Sequence, residues 1–184
     1  ANPSDTVYNP FISWDFLEAM ETSGSARAST GWQPCHIVLK RGDTYAGAVP
    51  AYLKGHSQGE YIFDHAFADA YLRAGGQYYP KLLATVPFTP ATGRRLLAPQ
   101  AEDRSLLTQG MAAATAQMGL SGAHINFLTP DEAPEIEEQG FALRLGEQYH
   151  FEDHGYGDWQ GFLDALASRK RKALRKERNS VGES

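Results

Sequence analysis

Between His56 and Arg95 the chain reads HSQGEYIFDHAFADAYLRAGGQYYPKLLATVPFTPATGRR, which crowds ionisable and aromatic side chains into one stretch. Asp64, Asp69, His56 and His65 are residue types that exchange a proton near neutral pH once their surroundings tune them. Lys81 and Arg94 can hold a carboxylate, a phosphate or a pyrophosphate. Tyr61, Tyr71, Tyr78 and Tyr79 present flat rings for stacking and hydroxyls for hydrogen bonding. Such a mixture reads as a pocket wall. Residue by residue, it reads equally as an aromatic-rich packed loop whose charges are solvated.

Neither helical nor strand periodicity organises the whole stretch. Pro80, Pro87 and Pro90, with Gly59, Gly75, Gly76 and Gly93, predict repeated turns braced by flanking elements. Before it, Phe11, Trp14, Leu17 and Ala19 predict an amphipathic helix to about Thr22, stopped by Ser23-Gly24-Ser25. Trp32–Leu39 and Thr44–Leu53 predict a hairpin turning at Lys40-Arg41-Gly42-Asp43, with Pro50 marking a bulge or a sheet edge. A third strand is expected over Glu60–Phe63, a short helix or irregular segment over Tyr78–Val86, and a strand over Arg94–Ala98. A helix over Glu102–Met118 carries Leu106, Leu107, Met111, Ala114 and Met118 on its apolar face and stops at Gly119. Further expectations are a strand at His124–Leu128, a helix from Thr129 to near Gly140, paired strands at Phe141–Leu145 and Gln148–Phe151, and a final helix capped by Asp158. That order predicts an α+β fold, α/β-like in having three layers: a mixed, mainly antiparallel sheet flanked by helices.

The chain has 184 residues, 42% hydrophobic and 21% charged, which bounds it to one well-buried domain. The expected division is a domain over residues 1–167 and a basic helix over residues 168–184. Seven of the 17 Lys and Arg lie between Ser168 and Arg178, so residues up to Ala167 are strongly acidic. An acidic body disfavours nonspecific nucleic-acid binding, whereas the basic run suits phosphates, an acidic partner or a solvated face at a domain junction. No apolar run is long enough to span a bilayer and no signal-peptide pattern is visible, which points to a cytoplasmic protein. Ala1-Asn2-Pro3-Ser4 reads as a polar leader without a message. The single Cys35 excludes a disulfide framework, and Cys35 and His36 are not read as a nucleophile pair, because adjacent strand residues face opposite ways. The six histidines form no metal-ligand spacing, so no metal site is predicted.

The segments NPFISWDFLEAMETSGSA, TGWQPCHIVLK, AYLKGHSQGEYIFDHAFADAY, QYYPKLLATVPFTPATGRRLL and SRKRKALRKER resemble the FemAB-like family of peptidoglycan biosynthesis or recognition proteins, within the Gcn5-related N-acyltransferase superfamily. The resemblance implies the N-terminal half of a tandem whose C-terminal half follows Ser184. It implies transfer of an acyl or aminoacyl group, from acyl-CoA or aminoacyl-tRNA, to an amine of a cell-wall precursor or peptidoglycan fragment. Asp64, Asp69, His56 and His65 then become candidate bases, while Tyr61, Tyr71, Tyr78, Tyr79, Lys81 and Arg94 become candidate substrate contacts. The basic run becomes a candidate contact for tRNA or for an anionic membrane surface at the inner face. The turn Ala98-Pro99-Gln100-Ala101-Glu102-Asp103 departs from a coenzyme A loop: it has no glycine, and two acids stand where a phosphate would sit. The alternatives are a noncatalytic muropeptide-recognition module and a scaffold for a catalytic C-terminal half.

Overall fold

The computed structural model describes residues 8–182; the polar leader Ala1–Ser4 lies outside them. The chain divides into two compact units, Ala1–Leu145 and Gly146–Ser184.

The first unit opens with a 3₁₀ turn, Pro10–Ile12, capped by Asn9. Helix α1 (Trp14–Thr22) follows, with the Ser13 hydroxyl accepting from the Phe16 amide. Gly24, at φ +75°, turns the chain out of the helix. The predicted hairpin forms, but Pro50 splits it between two sheets. Strand β1 (Trp32–Pro34) pairs antiparallel with β4 (Ala51–Lys54), and β2 (Ile37–Arg41) pairs with β3 (Thr44–Val49). Pro50 has no N–H for the ladder, so the chain breaks there. Across the break, the Cys35 amide donates to the Ala51 carbonyl and the Ala51 amide donates to His36 Nδ1. Gly42, at φ +59°, makes the two-residue turn with Asp43.

Strand β5 (Lys81–Ala84) is buried along its whole length and completes a four-stranded sheet of order β1-β4-β5-β6. It runs antiparallel to β4 and parallel to β6 (Ala123–Ile125), with α3 (Ala101–Gln117) as the crossover. This is the α+β fold with a mixed, mainly antiparallel sheet. One face of the sheet presents Ala51, Leu82 and Ala84 to a core with Leu107 and Met111 of α3 and Ile136 of α4 (Glu132–Glu137). The other presents Trp32, Tyr52 and Leu83, packed with Ala26 and with Met20 of α1.

Several local expectations are corrected. Tyr78–Val86 holds the central strand instead of a helix, because a fully buried strand is a continuous apolar run without alternation. Glu60–Phe63 is a loop, broken by Tyr61 at φ +57°. Arg94–Ala98 makes only a bridge between Leu97 and Ala48. The aromatic stretch contains an unassigned helix, α2 (His65–Arg73). Phe141–Leu145 and Gln148–Phe151 form no strands, and the boundary between the two units falls between them.

In the second unit, α5 (Trp159–Asp164) is capped by Asp158, whose carboxylate accepts from the Gly161 amide. A break separates it from α6 (Ser168–Gly182). Three basic residues of α6 are used internally. Arg171 reaches the Asp164 carboxylate and the Leu166 carbonyl, Arg175 donates to Gln160, and Arg178 lies over the Trp159 ring.

Gly47 has no room for a side chain, since a Cβ would sit 2.8 Å from that of Ala98 and 3.2 Å from the Leu97 carbonyl oxygen. Gly47→Ala is therefore expected to cost about 1–3 kcal/mol in urea denaturation. Equal stability of variant and wild type would mean that β3 does not pack against the 97–98 segment.

Candidate functional site

Strand register puts Trp32 opposite Lys54, and Lys54 opposite Lys81. Two lysines thus face each other across the central strand pair, both with 0% relative exposure. Like charges directly opposed destabilise a sheet, and each buried ammonium loses several kcal/mol of hydration. The following loop and α2 supply the compensation. After β4 the chain turns back and carries Ser57 and Glu60 under the sheet, and Asp64 stands at the N-cap position of α2.

Lys81 Nζ donates to Asp64 Oδ2 at 2.6 Å, to Glu60 Oε2 at 2.9 Å and to Ser57 Oγ at 3.0 Å. The Tyr78 hydroxyl donates to the same Asp64 oxygen at 2.8 Å, and the Tyr79 and Ser57 hydroxyls are 2.7 Å apart. Lys54 donates to the Gln58 carbonyl at 3.2 Å and stands 3.4 Å above the Trp32 ring, a cation–π contact inside the protein. Each carboxylate is therefore tied to Lys81 through one oxygen. The other oxygen of each, Glu60 Oε1 and Asp64 Oδ1, is buried without a partner, as is the Trp32 indole N–H.

The two acids that share this cation are shifted in opposite directions. Burial pushes the Asp64 carboxyl up, but hydrogen bonds from Lys81, Ser57 and Tyr78 outweigh it and hold the group down, to about 2. Burial raises Glu60, and Lys81 offsets this only in part. Burial also lowers Lys54, to about 8, and lowers His124, to about 4, with the Lys81 charge adding to both. His124 is thus neutral at pH 7, its ring edge-on to Tyr78. Burial and Asp64 raise the Tyr78 hydroxyl, so it remains a donor.

Of the residues singled out from the sequence, the structure gathers Asp64, Lys81, Tyr78 and Tyr79. Tyr71 is exposed and packs edge-on to Tyr78; Tyr61 is exposed on the loop. His65 and Asp69 are exposed on α2, outside the bonded cluster. His56 is half-buried, and its Nδ1 accepts from the Gln58 amide. Arg94 forms an ion pair with Asp131. Neighbouring Arg95 is buried and donates to the carbonyls of Ala91, Gly93 and Asn126, a structural lock. Cys35 and His36 form no reactive pair: burial raises the thiol, and the two His36 ring nitrogens are engaged with the Ala51 amide and Glu21.

The sequence reading missed Lys54, Ser57 and Glu60. The available signal was a lysine closing AYLK and another opening KLLATV, at matching ends of two apolar runs. At the start of α3, Asp103 is bound by Arg41 at 2.7 Å, and Arg104 folds back onto the Ala98 and Pro99 carbonyls. Among the described residues no three His, Cys, Asp or Glu side chains gather as a metal site would require, and no helix is long and apolar enough to cross a membrane.

An α+β domain with a buried lysine-carboxylate cluster beneath exposed aromatic rings is the class that this geometry defines. Over residues 2–184 the chain matches FemAB_like, a family of peptidoglycan biosynthesis and recognition, and it belongs to that family. No curated protein and no solved structure matches it.

Lys81→Met leaves two buried carboxylates without their cation and is expected to cost about 3–5 kcal/mol at pH 7. Because the folded pKa of Asp64 lies below its unfolded value, its contribution is present above about pH 4 and is lost as pH falls towards 2. It amounts to about 2 kcal/mol. Glu60, raised by folding, acts in the opposite sense, favouring the fold at low pH. Denaturant midpoints of wild type and Asp64→Asn between pH 2 and 5 separate the two, and an unchanged acid limb in the variant would contradict the assignment.

Proposed function

We propose that this domain transfers an acyl or aminoacyl group to an amine of a peptidoglycan precursor, with Glu60 as the base. The observation that carries the reading is the pair of unpartnered carboxylate oxygens, Glu60 Oε1 and Asp64 Oδ1, under one shared lysine. Together they form an anionic seat for an ammonium group. Asp64, held low by Lys81 and the neighbouring hydroxyls, stays ionised and holds charge; Glu60, raised by burial, is the one fitted to take a proton. Glu60 thus takes the place of Asp64, Asp69, His56 and His65 among the candidate bases.

In the reaction, the bound ammonium first releases one proton to solvent; the neutral amine then loses a second proton to Glu60 as its nitrogen bonds to the acyl carbon. The ester or thioester bond of the donor breaks, and the leaving group receives the proton from Glu60. Lys81 positions both carboxylates and does not itself react. The exposed rings of Tyr61, Phe63, Phe67 and Tyr71 supply a surface on which the sugar part of the precursor stacks. The crowded start of α3 supports an aminoacyl ester over acyl-CoA as donor, since its first turn is already occupied by the Arg41–Asp103 ion pair and by Arg104 folded onto the Ala98 carbonyl.

Transfer of a labelled aminoacyl group to a muropeptide amine tests the reading. Glu60→Gln is expected to lower kcat at least 100-fold while keeping the fold, and Glu60→Asp to restore part of it. In the wild type the rate should rise with pH through a value above the ordinary glutamate range, where Glu60 loses its proton. A Glu60→Gln enzyme as fast as wild type would remove Glu60 from the reaction and leave recognition as the role of the cluster.

A further inference from the structure

Strands β5 and β6 are the parallel pair of the sheet, and their carboxyl ends carry a second set of unpartnered polar groups. The register Leu82–Ala123, Leu83–His124, Ala84–Ile125 brings Thr85 beside Asn126 as the next pair, held by the Asn126 amide donating to the Ala84 carbonyl at 3.0 Å. Strand alternation sets both on the sheet face that carries Lys81, Leu83 and His124. Thr85 is 1% exposed and Asn126 7% exposed, yet Thr85 Oγ1 and Asn126 Nδ2 have no hydrogen-bond partner. An unsatisfied buried hydroxyl and amide cost about 1–3 kcal/mol each, too much for an idle feature.

Two backbone observations fall at the same place. The segments leaving β5 and β6 contain Phe88 at φ +55° and Phe127 at φ +54°, left-handed conformations that are unfavourable for bulky side chains. The segments are tied to each other, with the Gly93 amide donating to the Phe127 carbonyl. In sheets with parallel strands, ligands favour the crevice beyond the carboxyl ends.

We infer that Thr85 and Asn126 form a subsite for a secondary amide of a peptide ligand, distinct from the Lys81 cluster. A trans peptide group carries the complementary pair on opposite edges, so one lying between the two side chains accepts from Asn126 Nδ2 at its carbonyl oxygen and donates its N–H to Thr85 Oγ1. Both protein atoms are covered in the free protein, so the ligand reaches them only by displacing the side chains that cover them. Thr85 lies four residues along β5 from Lys81, roughly 13 Å away, a span that suits a peptide chain better than a single small group. The subsite does not rest on the transferase reading, because it is read by binding alone.

The test uses the whole chain and two probes, acetyl-trialanine amide and the depsipeptide in which one N–H is replaced by an ester oxygen. Titration is followed on the Asn126 side-chain NH₂ resonance. The peptide is expected to shift that resonance and the ester to bind at least tenfold more weakly. Thr85→Val and Asn126→Leu should each weaken the peptide at least tenfold while leaving Tm equal to or above that of wild type, since each removes an unpaired buried group. A wild-type Asn126 resonance unmoved by the peptide would overturn the proposal even if a variant failed to fold. So would variants that lower Tm but bind the peptide as well as wild type, the pattern of a buried water or a structural role.

Discussion

Everything around the candidate site follows from two lysines meeting across the centre of a sheet. Lys54 and Lys81 are register partners on the two central strands, and both are fully buried. At an effective dielectric of about 20, a carboxylate oxygen near 3 Å attracts an ammonium by roughly 5–6 kcal/mol, comparable to the hydration that each ion gives up. The cluster is therefore close to neutral for stability, and its effect is positional. The 55–64 loop must fold under the sheet, Tyr61 must take a left-handed φ, and α2 must start where Asp64 can reach Lys81.

The two faces of the sheet divide the labour. One is sealed by aliphatic side chains against α3 and α4. The other carries Trp32, Tyr52 and Leu83, with the ionic cluster beside them and Thr85 and Asn126 towards the carboxyl ends of β5 and β6. The unpartnered buried polar atoms at Glu60, Asp64, Thr85 and Asn126 belong to that second face. A stable scaffold on one side thus permits unmet hydrogen-bonding capacity on the other, where a ligand can meet it.

The fold class, α1, the hairpin and α3 were legible in the sequence because each carries a period or a turn signal: the apolar spacing from Phe11 to Ala19 stopped by Ser23-Gly24-Ser25, the turn at Gly42-Asp43, and the stripe through Leu107 and Met111. Strand β5 was not, because burial on both faces erases alternation and Pro80 at its entry resembles a helix start. At the site, Asp64, Lys81, Tyr78 and Tyr79 stood out by type and crowding. Glu60 and Lys54 did not, since their importance comes from strand register and from a loop that folds back, neither of which leaves a local pattern. Arg94 and Asp69 had the right chemistry, but Arg94 is paired with Asp131 and Asp69 is exposed on α2.

Two carboxylates that share one buried cation are thus shifted in opposite directions, Asp64 down and Glu60 up. Carboxyl ¹³C NMR of the wild-type protein across pH 2–8 measures these shifts directly. Asp64 should titrate at about 2 and Glu60 above the usual glutamate value. If both carboxyls titrate together at ordinary values, the cluster is solvated, and the assignment of Glu60 as base and Asp64 as fixed charge is contradicted.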